Sequence, residues 1–171
     1  MAIVKRTGIA GAACSVMVIL GIVLSHGHVR TSKQGLELIG NAESCQREPY
    51  ICPAGIATDG VGNTHNVFAG KTDEQIANDW ERNILEAEEC VNRYANGKKL
   101  PNGTFSAAVS IAFNAGCPTM RTSTMFQLLR SGNVIAACEQ FPRWIYGGGK
   151  KLPGLVTRRE KERALCLSDQ R

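Results

Sequence analysis

Ile39-Gly-Asn-Ala-Glu43-Ser-Cys45-Gln-Arg-Glu-Pro-Tyr50-Ile-Cys52-Pro-Ala-Gly-Ile-Ala-Thr58-Asp-Gly-Val-Gly-Asn63 is the stretch on which the reading of this chain turns. From Tyr50 to Phe68 the sequence is rich in Gly, Pro, Thr and Asn, and Ala57 to Val61 reads as a short twisted β-hairpin. Loops and strand ends present polar side chains where helix cores cannot, so the chemistry is sought here. A carboxylic acid at Glu43, a second ionisable group at Cys52 and a hydroxyl at Thr58 suit acid-assisted hydrolysis. In such a reaction one group protonates a leaving oxygen while the others hold a water on the opposite face. The spacing alone is common, and a solvated glutamate at a helix end is the plain alternative for Glu43.

Around this insertion the pattern is helical. Thr72-Asp73-Glu74-Gln75 is a capping box, and Ile76, Trp80, Ile84, Ala87, Val91 and Tyr94 follow at steps of three and four until Asn96-Gly97 stops the helix. Phe105 to Ala115, Thr124 to Leu129, Val134 to Phe141 and Leu155 to Leu167 read as shorter helices separated by Gly, Pro and Asn. The expected fold class is therefore α+β, mostly helical, with one small β-hairpin lobe.

The N-terminus reads as a membrane-anchor helix. Thr7 to Val29 contains no Asp, Glu, Lys or Arg; at about 1.5 Å per residue it would just cross a hydrocarbon core of about 30 Å. Gly8, Gly11, Gly21 and several Ala, Ser and Cys residues dilute it, so insertion is only marginally favourable. A cleavable secretory signal is the alternative, although no A-x-A-like site follows. The organisation expected is an anchor over residues 1–30 and a folded domain over 31–171.

The full chain has 171 residues, a formal net charge of +5, 43% hydrophobic residues and 7 Cys. That is enough for one core, and it excludes disorder and a multi-pass membrane protein. Nucleic-acid binding is not expected: Lys150-Lys151 and Arg158-Arg159 are only doublets, with no interleaved aromatics. So many cysteines in so short a chain point to an oxidising compartment and a disulfide framework with one cysteine left over. No cofactor and no metal are expected, because His26, His28 and His65 are not spaced to complete a zinc tetrahedron with paired thiolates, and His26-Gly-His28 reads as the polar end of the anchor. Gly147-Gly148-Gly149-Lys150 lacks the Ser or Thr of a phosphate loop and reads as a flexible connection between helices, while Thr104 reads as a helix cap.

The opening stretch resembles the active-site region of the T4-type phage lysozymes, whose pattern is Glu, eight residues, Asp, five residues, Thr. Ala112-Phe113-Asn114-Ala115-Gly116, Arg121-Thr-Ser123-Thr, Arg143-Trp144 and Gly154-Leu-Val-Thr-Arg-Arg-Glu160 extend the resemblance over about Leu36 to Leu167, and the anchor makes the chain similar to the endolysins with a signal-anchor-release segment. The resemblance implies a lysozyme-like fold and a muramidase that cuts the β-1,4 bond between N-acetylmuramic acid and N-acetylglucosamine in peptidoglycan, acting as a monomer to lyse the host. A non-catalytic, membrane-tethered peptidoglycan-binding protein is the alternative. It further implies export by the host secretion machinery, tethering in the host inner membrane and release to the periplasm.

Position by position, Glu43 falls at the family's general acid, which needs a raised pKa to stay protonated, and Thr58 at its water-positioning hydroxyl. Cys52 stands where most members have aspartate, and Asn63 where they have a histidine, with His65 two residues on. Phe113 and Ser123 match positions that line the sugar cleft; a plain core residue and a helix cap are the respective alternatives. Cys138 falls at a further cleft position and reads as a disulfide partner, while Arg158 and Arg159 read as structural, pairing with Glu160 or Glu162 and covering the helix.

With Cys90, Cys117, Cys138 and Cys166 as two structural pairs, in any of three connectivities, Cys14, Cys45 and Cys52 remain. A local Cys45–Cys52 bridge across a Pro49-Tyr50 turn would consume the thiol at the catalytic position. Exchange with Cys14 after membrane exit would give Cys14–Cys45 and release Cys52. The alternative is that Cys14 is only a small apolar residue of the anchor.

Overall fold

Caps and periodicity set most of the helices. In the computed structural model, which describes residues 14–52 and 55–170, the element order is α1 (Val16–His26), α2 (Lys33–Glu43), β1 (Gln46–Ile51), β2 (Ala57–Gly60), α3 (Asp73–Tyr94), α4 (Asn102–Ala115), α5 (Cys117–Met120), α6 (Thr124–Arg130), α7 (Val134–Cys138), β3 (Tyr146–Gly147), β4 (Lys150–Lys151) and α8 (Pro153–Leu167). Ser15, Ser32, Thr72 and Ser123 each place a hydroxyl on a backbone N–H of the helix that follows, and the Thr72 and Gln75 caps are reciprocal, as the capping box predicts. Thr104 is not a cap: α4 starts two residues earlier, and the buried Thr104 hydroxyl donates to the Cys166 carbonyl at 3.0 Å, tying α4 to α8.

The core is built on α4, which is buried without a break from Gly103 to Ala112 and packs against α8, α3 and α2. Helix α3 lays Ile76, Trp80, Ile84, Ala87 and Val91 into it. Trp80 meets α2 at Gly40, where an added Cβ would stand 2.6 Å from Val16 and 3.2 Å from Trp80, so glycine permits the three-way approach of α1, α2 and α3.

The hairpin lobe starts earlier than Ala57. β1 pairs antiparallel with β2 in the register Gln46↔Gly60, Tyr50↔Thr58 and Ile51↔Ala57, with an irregularity between Gln46 and Tyr50. Pro49 and Tyr50, expected in a turn, therefore lie within a strand. The triple glycine is a turn too, but of a second hairpin: Gly148 and Gly149, at φ of 57° and 76°, join β3 to β4.

Residues 1–13 of the expected anchor lie outside the described residues. Within the rest, Val16–His26 form α1, which packs Ile19, Leu20 and Val23 against α3 and α2 while Met17, Val18 and Leu24 stay exposed. Among the described residues no helix is long and apolar enough to cross a membrane. Past α1, Arg30 donates to the carbonyls of Gly97 and Leu100 and lies 4.0 Å above the Phe105 ring, and Glu88 takes both the N–H and the hydroxyl of Thr31.

Candidate active site

Glu43 is the last residue of α2. The chain turns sharply after it, because Ser44 adopts a φ of 61° and returns its N–H to Gly40 at 3.0 Å. One carboxylate oxygen of Glu43 meets Arg158 Nη1 at 2.8 Å. The other faces Gly62, whose φ of +69° and missing side chain let the turn after β2 come within contact of the acid.

Arg158 is held from behind. Its Nε donates to Glu162 at 3.0 Å and its Nη2 to the Ser110 carbonyl at 3.2 Å, while the fully buried Glu162 also accepts from the Ser110 hydroxyl and from Arg159 Nη1. Arg159 continues to the Trp144 carbonyl and to Asn114 Oδ1. Burial lowers the Arg159 pKa, with Glu162 opposing the shift. The expected pairing with Glu162 is present, but the arginines do not cover an exposed helix. They are 6% and 2% exposed, and Arg158 reaches the candidate acid, because a guanidinium fork can satisfy two carboxylates at once.

Across from Glu43 stands the hairpin. Cys52 follows β1 directly; its N–H donates to the Ile56 carbonyl, and its own carbonyl accepts from Gly55, which closes the turn. Thr58, 3% exposed, lies in β2 opposite Tyr50 and donates its hydroxyl proton to the Ile56 carbonyl at 3.0 Å. Tyr50 sits two residues before Cys52, hence on the same side of the extended chain. Its pKa is raised, first by burial and then by the negative charges of Glu43 and Cys52, which places the phenol within electrostatic reach of both. Sequence reasoning missed Tyr50; the period-two spacing from Cys52 was the available signal.

Asn63 anchors the lobe from below. It donates to Asp59 at 2.7 Å and to the His65 carbonyl at 2.6 Å, and accepts from Arg82 at 2.9 Å. Asp59 is also paired with the buried Lys71, which reaches Asp79 as well.

A groove of about 1040 Å³ runs between α2 and α8, with Glu43, Arg158 and Asn114 in its wall beside Glu37, Leu152 and Lys161. Phe113 is half-buried against the core and Ser123 caps α6, accepting from Phe126 N and donating to the Met120 carbonyl. Neither lines the groove; the exposed Asn114 beside Phe113 does.

Three disulfides are present: Cys14–Cys45, Cys90–Cys117 and Cys138–Cys166, with Cα separations of 5.3, 5.9 and 5.7 Å. Cys52 stands outside them. Cys45 and Cys52 flank the extended β1, so their Cα atoms are on the order of 20 Å apart at about 3.3 Å per residue, far beyond the roughly 7 Å limit of a bridge.

The phage lysozyme family model matches residues 40–162. The chain is 48% identical to a SAR-endolysin of Escherichia phage P1, with 96% of each chain covered, and 41% identical to one of Haemophilus phage HP1, with 82% of each covered. Among solved structures it is similar to the active form of P1 phage endolysin Lyz, with a TM-score of 0.89 at 47% identity over 94% of this chain and 98% of that one. Against the secreted inactive form of the same enzyme the TM-score is 0.60, at 45% identity over 82% and 97%. With one match running unbroken from the helix end that carries Glu43 to the arginine that holds it, the chain belongs to the phage lysozyme family.

Proposed function

We infer that the protein is a phage endolysin, a muramidase that hydrolyses the β-1,4 bond between N-acetylmuramic acid and N-acetylglucosamine of peptidoglycan and so lyses the host cell. The observation that carries the reading is the placement of Glu43: anchored by Arg158 on one oxygen, with the other directed at the turn after β2. Glu43 protonates the leaving glycosidic oxygen. Thr58, whose own proton is committed to the Ile56 carbonyl, presents lone pairs that accept from a water and so orient it. Cys52, as the thiolate, takes that water's proton in the role an aspartate has elsewhere in the family. Of the two positions matched to the family's sugar cleft, Phe113 near the end of α4 and Ser123 at the start of α6 both stand outside the groove wall, where Asn114 takes their place. The endolysin relatives favour this reading over a non-catalytic peptidoglycan-binding protein.

The same reading covers the N-terminus. Residues 1–30 serve first as an anchor in the host inner membrane, exported by the host secretion machinery, and the domain then works in the periplasm. Supporting this, α1 is apolar all round although only one face packs; a helix made for that face alone would carry polar residues at Met17, Val18 and Leu24. In the tethered chain Cys45 is bridged to Cys52. After exit the Cys14 thiolate attacks the Cys45 sulfur, Cys52 leaves as thiolate, and no oxidant is consumed. The Cys14–Cys45 bond and the nearer likeness to the relative's active form support this order. A Cys45–Cys52 bridge is incompatible with an extended β1, so the resting state lacks the hairpin that carries Thr58.

Glu43→Gln tests the assignment. It preserves size and removes the transferable proton, so clearing of a peptidoglycan suspension is expected to slow at least about a hundredfold. Clearing at the parent rate would overturn it.

A further inference from the structure

Glu81, about two turns beyond Glu74 on α3, has a buried carboxylate whose two oxygens each face an imidazole: His26 Nδ1 at 2.9 Å and His28 Nδ1 at 3.1 Å. His26 ends α1. Gly27, left-handed at φ 71°, turns the chain so that His28 returns to the same side. Behind His26, Glu74 lies 3.0 Å from Nε2. A carboxylate there holds a proton on Nε2 and fixes the plane of the ring, so that Nδ1 points at Glu81. With no ion bound, a proton on Nδ1 bridges the ring to Glu81; a divalent cation would take the place of that proton. A second carboxylate that orients a histidine in this manner is the usual outer partner of a metal-bound imidazole.

We propose that His26, His28 and Glu81 form a binding site for a zinc-class divalent cation, with Glu74 orienting His26 from behind. The three donor atoms all lie within 4.8 Å of one another. A tetrahedral centre with bonds of about 2.0–2.1 Å keeps its donors about 3.3–3.4 Å apart, so small rotations suffice, and His28, exposed, is free to turn. Two imidazoles and one carboxylate suit zinc and its late-transition neighbours; magnesium and calcium prefer all-oxygen sites. The His-Gly-His spacing alone pointed to no metal, because the third donor comes from a helix 53 residues further on. A bound ion would pin the C-terminal end of α1 to α3, as Cys14–Cys45 pins its other end to the start of β1.

The test uses the released full-length protein, stripped with a chelator and titrated with zinc chloride alone near neutral pH. The expected result is one zinc per chain, a rise in melting temperature on addition, and affinity weakened at least tenfold in His28→Asn and in His26→Asn. Magnesium chloride should produce neither binding nor a shift. His28 is exposed and lies outside the catalytic groove, so its variant should fold and clear peptidoglycan at the parent rate without zinc. Cobalt substitution should give a tetrahedral visible spectrum with no thiolate charge-transfer band. Absence of stoichiometric zinc, undiminished binding in the His26→Asn/His28→Asn double variant, or a thiolate band placing the ion at Cys52 would each overturn the proposal.

Discussion

Arg158→Met separates what the fold asks of this arginine from what the reaction asks. The guanidinium joins Glu43 at 2.8 Å, Glu162 at 3.0 Å and the Ser110 carbonyl at 3.2 Å, and is itself 6% exposed. Removing one partner of a buried ion pair costs about 3–5 kcal/mol. Glu162 keeps Arg159 and the Ser110 hydroxyl, and Glu43 is partly solvated, so the lower end, about 3 kcal/mol, applies. For a chain of this size that lowers the melting temperature by roughly 6–12 °C. Activity measured well below the melt should fall further than unfolding explains: a displacement of about 1 Å in a catalytic group is worth up to about a hundredfold. The two effects part in a cycle with Glu43→Gln, where adding Arg158→Met should cost stability again but almost no further rate, because the acid it positioned has lost its proton. Arg158→Lys should recover part of the stability, since a point charge serves one carboxylate and not both. A methionine variant that melts within about 2 °C of the parent and clears peptidoglycan at the parent rate would refute the reasoning.

Gly62→Ala places a side chain at φ +69° with its Cβ 3.4 Å from Glu43; a loss of about 1–2 kcal/mol, read as a lower melting temperature, should come with a disproportionate drop in clearing rate. Cys14→Ser removes a bridge between residues 31 apart, a loss of about 3–4 kcal/mol on the chain-entropy estimate, and should stay inactive after release until a reductant opens Cys45–Cys52. Cys45→Ser should instead clear peptidoglycan while still tethered, and Cys52→Asp should do so whatever the redox state; a Cys14→Ser protein that lyses on the normal schedule without reductant would remove the switch. Gly21→Leu meets open space on α1, so the folded enzyme should keep its activity, while fractionation should find more of the chain in the membrane.

Sequence alone was sufficient wherever the determining residues are close neighbours. The Thr72 capping box, the step-three-and-four pattern through Val91 and the Asn96-Gly97 stop specify α3, because caps and helical faces depend on partners within four positions. Glu43, Cys52 and Thr58 could be singled out as candidates for a related reason: they lie on one short connection whose local spacing, with the family resemblance, marks them together. Tertiary structure decided what depends on distant segments meeting. Arg158 reaches Glu43 across 115 residues, and Glu81 joins His26 across 55. Cys14–Cys45 was named from the sequence as the product of exchange, but the choice of Cys90–Cys117 and Cys138–Cys166 from three connectivities emerges only when helices pack. Strand β1 was missed since Gln46–Ile51 carries Pro49 and an irregular register and becomes a strand through its ladder with β2. Loop closure and helix packing choose these partners from many chemically equivalent ones, and near-neighbour propensity carries no record of that choice.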